Sequence, residues 1–169
     1  NDLFGADVGD KLILHIADVL SENVSEGDII SHPGSDRFMF FARAKGERLQ
    51  KMVDKILTDI SDFDVPFEIA CNMGIYVTGG KVHSVDTMID RAVLAQSKIK
   101  GSYTIKYNYY TEELRNTMLG EQEITGAMNT ALAERQFVVY YQPQYDHSTG
   151  ELIGAEALVR WIHPERGFM

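Results

Sequence analysis

Residues Asp28 to Phe41 read D-I-I-S-H-P-G-S-D-R-F-M-F-F. Two short apolar runs, rich in Ile and Phe, flank Pro33-Gly34-Ser35-Asp36, which is the pattern of a β-hairpin. Pro33 presets its own φ, and Gly34 can take the positive φ that a tight turn needs. The tip then holds small residues and one carboxylate. Such a turn lets backbone N–H groups approach a ligand, and Asp36 could hold a cation there. The same composition also makes an ordinary hairpin with no ligand.

The elements around the hairpin follow from apolar spacing. Val8 to Val24 carries Leu12, Ile13, Ile16, Val19 and Leu20 on one helical face. Lys45 to Ser61 repeats the pattern with Leu49, Met52, Val53, Ile56, Leu57 and Ile60. Phe67 to Val77 reads as a strand, stopped by Thr78-Gly79-Gly80. A helix follows to about Lys98, with Ser84 as its N-cap and Asp86 in its first turn. Tyr103 to Tyr107 reads as a short strand. Layer logic gives an α+β sandwich, with helices on one face of a mostly antiparallel sheet. The ferredoxin-like plan would have one more strand before the first helix, upstream of Asn1.

A further helical pattern runs from Glu112 to Gln136, weakened by Gly120 and Gly126. Phe137 to Tyr145 is a dense strand run, and Asp146-His147-Ser148-Thr149-Gly150 is a turn. Glu151 to Trp161 is the returning strand. Two strands cannot make a core alone. The tail is therefore expected to dock on the first domain, to dock on a second copy, or to begin a larger domain. Val138 to Tyr145 is expected to be covered, by a partner chain or by this domain. The predicted division is a first domain at 1–110, a connecting helix at 111–136 and a tail at 137–169.

Composition narrows the function. The 169 residues carry a net charge of −9, which repels nucleic-acid backbones. The single cysteine, Cys71, cannot form an internal disulfide, which fits a reducing, cytoplasmic setting. No apolar run is long enough to span a bilayer, so no membrane contact is expected from these residues; an anchor upstream of Asn1 is left open.

Several motifs, in this order, resemble the GGDEF domain of bacterial cyclic-di-GMP signalling proteins. They are Asn1-Asp2, Gly5 and Gly9-Asp10, then the loop Gly34-Ser35-Asp36-Arg37-Phe38, then Ser97-Lys98 and Gly101-Ser102. The tail resembles the opening of an EAL domain, a cyclic-di-GMP phosphodiesterase built as a TIM-like barrel, through Tyr141-Gln142-Pro143 and Glu156-Ala157-Leu158-Val159-Arg160-Trp161. A barrel needs about 250 residues, so only its first hairpin is present. The implied fold is a ferredoxin-like, palm-type sandwich lacking its first strand, a connecting helix, and a truncated hairpin from the barrel.

The resemblance also implies chemistry. GGDEF enzymes join two GTP molecules into cyclic-di-GMP, using metal ions between carboxylates. It assigns guanine recognition to Asn1 and Asp10, a phosphate contact to Lys98, and metal binding to Asp36. Each has a plainer reading: a chain terminus, a helix-start charge, a solvated cation at a helix C-terminus. The loop departs from the family twice. Ser35 stands for a glycine, and Arg37 stands for an acidic metal-site residue. At about 4 Å and an effective dielectric near ~20, each unit-charge pair is worth about 4 kcal/mol. The exchange therefore turns the site against a divalent cation. The family's inhibitory Arg-x-x-Asp falls on Ser25 and Asp28, without the arginine. In a complete EAL domain, Glu156 would bind Mg, while Gln142 and Arg160 would contact the cyclic dinucleotide.

The expected function is thus a non-catalytic, regulatory GGDEF-like domain, in which Arg37 and Gly34 contact GTP phosphates without metal. No catalytic set and no cofactor is expected within these residues. GTP or cyclic-di-GMP is the expected ligand, and a homodimer or the rest of the EAL domain the expected partner. An active cyclase with an altered loop and a purely structural dimerisation module are the alternatives.

Overall fold

Why these residues form helices is clearest in α1 (Ala6–Asn23) and α2 (Gly46–Ser61). Their apolar positions recur at three- and four-residue spacing, so each presents one stripe. Val19 and Leu20 of α1 and Ile56 and Ile60 of α2 meet in one buried cluster. Val53 and Ile56 are fully buried; each side chain contributes about 2 kcal/mol by leaving water. His15 ties the helices together at their polar margin, its Nε2 lying 2.9 Å from the Asp59 carbonyl. The Asp59 carboxylate accepts from Lys55 and Asn23, which holds it below the usual carboxylate range. The structure is a computed structural model that describes residues 6–80 and 83–169. It divides into two compact units, Asn1–Thr111 and Glu112–Met169.

Between α1 and α2 lies the hairpin, β1 (Ile29–Gly34) and β2 (Arg37–Phe41). The strands pair antiparallel, Ile29 opposite Phe41 and Gly34 opposite Arg37. Ile30, Phe38 and Phe40 pack on the α1–α2 cluster.

The strand expected over Phe67 to Val77 is much shorter. Only Met73–Ile75 forms β3, and it pairs in parallel with β4 (Tyr107–Tyr109). The other expected strand, Tyr103 to Tyr107, likewise shifts to β4. A strand exists only where a neighbour supplies its ladder, and β4 is three residues long. Helix α3 (Val85–Ser97) makes the crossover. Ser84 caps it as expected, its Oγ accepting from the Thr87 N–H at 3.2 Å. Ser84→Ala is expected to cost about 1 kcal/mol, read as a lower melting temperature of the first unit.

The expectation of helices on one face is corrected at β3–β4. Side chains alternate across a strand. Ile75, Met73, Tyr107 and Tyr109 pack with Val53 and Leu57 of α2. Gly74 and Asn108 turn the other way, toward α3; Asn108 Nδ2 donates to the Ala95 carbonyl at 3.0 Å. The pair is therefore sandwiched. Among the described residues the hairpin and β3–β4 are separate two-stranded sheets.

In the second unit, α4 (Glu112–Ala133) stops short of the expected Gln136. Arg135 adopts a left-handed φ of 57°. Its N–H bonds to the Leu132 carbonyl and that of Gln136 to the Ala131 carbonyl, which closes the helix end. Strand β5 (Phe137–Tyr145) pairs antiparallel with β6 (Leu152–His163), which runs past the expected Trp161 and gains a third strand, β7 (Gly167–Phe168). The buried Trp161 stacks near Phe137 at 5.2 Å and donates to Gln136 Oε1 at 2.8 Å. Val138 to Tyr145 is not covered by this chain: Tyr141 is 71% exposed and Tyr145 60%. Among the described residues of this sheet, Trp161 is the buried side chain, so its core lies at that end.

Candidate functional site

The hairpin tip is a two-residue turn. Gly34 and Arg37 are the last facing pair, and Ser35 and Asp36 form the loop. Gly34 has φ 130° and Ser35 has φ 55°, so both lie in the left-handed region. Glycine accepts this freely; serine does so at a cost of roughly 1–2 kcal/mol. A Cβ on Gly34 would meet nothing within 4 Å, so the tip is open. Ser35, Asp36 and Arg37 are exposed, and Phe38 is half-buried.

Beside the tip stands a residue that sequence reasoning passed over. The His32 ring stacks on Phe38, with centroids 4.4 Å apart and planes 15° apart. Its Nε2 lies 2.9 Å from the Ser35 carbonyl. A carbonyl only accepts, so Nε2 carries the proton. The signal was local: an aromatic two residues before the glycine, facing an aromatic four residues after it.

Other expected site residues lie elsewhere. Asn1, with Asp2 and Gly5, falls outside the described residues. Asp10 is exposed in the second turn of α1. Lys98 is the C-cap of α3 and exposed. The loop after it is held by Asn72, whose Oδ1 accepts from the Gly101 N–H at 2.9 Å. Asn72 Nδ2 donates to the Ser102 and Ile105 carbonyls. A polar residue inside the apolar run Ala70 to Ile75 was the available sign of this role.

The Ser25–Asp28 turn uses its carboxylate internally. Asp28 accepts from the backbone N–H groups of Ser25 at 2.8 Å and Arg43 at 3.1 Å, which holds its carboxyl below the usual range. Arg48 donates to Ser25 Oγ at 3.4 Å. Two arginines distant in sequence thus flank the turn, which no local pattern announced.

Asp36 has a guanidinium as its neighbour in the chain. Among the described residues no group of three His, Cys, Asp or Glu side chains is placed to hold an ion. The same holds around Glu156.

In the second unit the strand register brings three expected residues together. Gln142 pairs with Glu156, Tyr140 with Leu158 and Val138 with Arg160. Alternation then sets Gln142, Glu156 and Arg160 on one face of the hairpin, and Val139, Tyr141, Ala157 and Val159 on the other. The first face also carries Val138, Tyr140 and Leu158, and the second is the more exposed, with Tyr141 at 71% and Val159 at 61%. The far end is tied by Asp146, which accepts from Ser148 Oγ at 2.5 Å and from the backbone N–H groups of Ser148 and Thr149. These bonds hold its carboxyl at about 2. A depressed carboxyl contributes stability above its ordinary value near 3.8 and loses it as pH falls through about 2. Protection of the turn amides, taken as exchange relative to the intrinsic rate at each pH, is therefore expected to be high at pH 5 and to fall toward pH 2, a change that Asp146→Ala should abolish.

Residues 1–103 match the family described as Diguanylate cyclase, GGDEF domain, and residues 125–169 match the EAL domain. The chain is 26% identical over its whole length to the bifunctional diguanylate cyclase/cyclic di-GMP phosphodiesterase MucR of Pseudomonas aeruginosa, covering 25% of it. It is 27% identical over its whole length to the cyclic di-GMP phosphodiesterase PdeR of Escherichia coli, covering 26% of it. The chain thus spans about a quarter of the length of these curated relatives. Among solved structures, the S helix-GGDEF-EAL portion of Vibrio cholerae LapD, bound to c-di-GMP, superposes with a TM-score of 0.61 at 17% identity, over 96% of this chain and 39% of that one. The hairpin that carries Gly34 to Phe38, the βαβ unit behind it and the matched residues agree: the chain belongs to the GGDEF family, and the start of an EAL domain follows in the same polypeptide.

Proposed function

We propose that this chain is the regulatory, non-cyclising GGDEF domain of a longer GGDEF–EAL protein, and that it senses GTP through the hairpin tip. The observation that carries the reading is Arg37, an exposed guanidinium next to Asp36 on an open two-residue turn. A guanidinium meets phosphate oxygens with two parallel N–H donors and needs no metal between them. Gly34 leaves room for the phosphate, and Lys98 and Asp10 are the further nucleotide contacts. Cyclisation would need a metal bridge that the tip's residues do not fit.

In the complete protein, the face bearing Gln142, Glu156 and Arg160 would open onto the cyclic dinucleotide. Arg160 is the phosphate contact, as the permanently charged fork on that face. The relatives named as phosphodiesterases, and the LapD structure with c-di-GMP bound, support this assignment. GTP binding in the first unit would then tune hydrolysis in the EAL domain.

Calorimetry with GTP, with and without magnesium, tests the sensor. Binding of similar strength in both conditions is expected. Heat only with magnesium, together with cyclic-di-GMP as a product, would restore the cyclase reading; no heat in either would remove the sensor.

A further inference from the structure

The hairpin tip is built against its own backbone preferences. Ser35 sits at φ 55° without being glycine. The β1–β2 register is irregular between Ser31 and Gly34, and Pro33 has no N–H to give. The strand end nearest the turn is therefore short of ladder bonds just where the turn is strained. Something else must hold it.

His32 supplies that hold. Its Nε2–H donates to the carbonyl of the strained residue itself. Its ring lies flat on Phe38, and Phe38 packs on the α1–α2 cluster. A chain of contacts therefore runs from the buried core, through two stacked rings, to the Ser35 peptide. We propose that His32 is the positioning residue of the loop: it latches the Ser35–Asp36 turn in its left-handed form and so sets where Arg37 meets a nucleotide phosphate. This rests on the sensor reading above. Asp36 and Arg37 are the charged groups of the same turn.

The test reads the latch apart from the ligand. Hydrogen exchange by mass spectrometry over residues 31–41 is measured in the whole chain, and GTP is titrated without magnesium. His32→Ala should raise exchange at Arg37 and Phe38 about fivefold, the worth of one net hydrogen bond, and should weaken GTP by a similar factor. Adding Ser35→Gly removes the strain, so the double variant should return to within about twofold of wild type in both readouts. Unchanged exchange in His32→Ala would overturn the proposal, as would faster exchange that Ser35→Gly does not reverse. If exchange responds as expected but wild-type chain binds no GTP, the latch stands and the phosphate role of Arg37 falls.

Discussion

Gly74→Ala should destabilise the first unit by about 3 kcal/mol or more, a drop in melting temperature on the order of 10 °C or more. The reason is distance. A Cβ at Gly74 would lie 1.9 Å from the Ala92 carbonyl oxygen, 2.6 Å from the Gln96 backbone nitrogen and 2.7 Å from Gln96 Cβ. Two of those atoms are helix backbone and cannot swing aside. Either α3 moves off the sheet or β3 moves off α2, and β3 is already pinned through Ile75 and Met73. Gly120→Ala is the contrasting substitution. That glycine lies within α4 with nothing within 4 Å of an added Cβ, so alanine should stabilise the second unit by roughly 0.5–1 kcal/mol. Thermal unfolding followed by circular dichroism measures both. A Gly74→Ala protein that melts with the wild type would show that α3 does not seat against β3.

Arg37→Glu should weaken magnesium-free GTP binding by at least about a hundredfold, roughly 2.7 kcal/mol. A charge-assisted hydrogen bond is worth about 1.5–3 kcal/mol, and the substitution also sets a carboxylate against phosphate oxygens. With Asp36 alongside, two adjacent carboxylates could then hold a divalent ion, so added magnesium should recover part of the lost affinity. Arg37→Lys keeps the charge and loses the planar fork, and should fall between the two. Isothermal titration at fixed ionic strength separates these cases. Equal affinity for wild type and Arg37→Glu without magnesium would mean that Arg37 is a solvated surface cation.

The hairpin, the four helices and the Ser84 cap were legible because each is written in neighbouring residues. Pro33 and Gly34 dictate a turn whatever packs against it, and three- and four-residue spacing marks a helix face. The candidate site was legible only as a string, Gly34 to Phe38, through its resemblance to the family's signature loop. The stacking of His32 on Phe38 left a local sign, one aromatic residue on each side of the turn, but that the two rings meet depends on the register across it.

From sequence alone came the order of the helices and the hairpin tip, both set by local backbone preference and side-chain identity. Tertiary structure decided the length of β3, the seat of α3 over Gly74, the Asn72 hold on the loop beyond Lys98, and the common face of Gln142, Glu156 and Arg160. Those depend on which segments meet, and a strand's extent and a side chain's direction are settled by the partner that pairs with it.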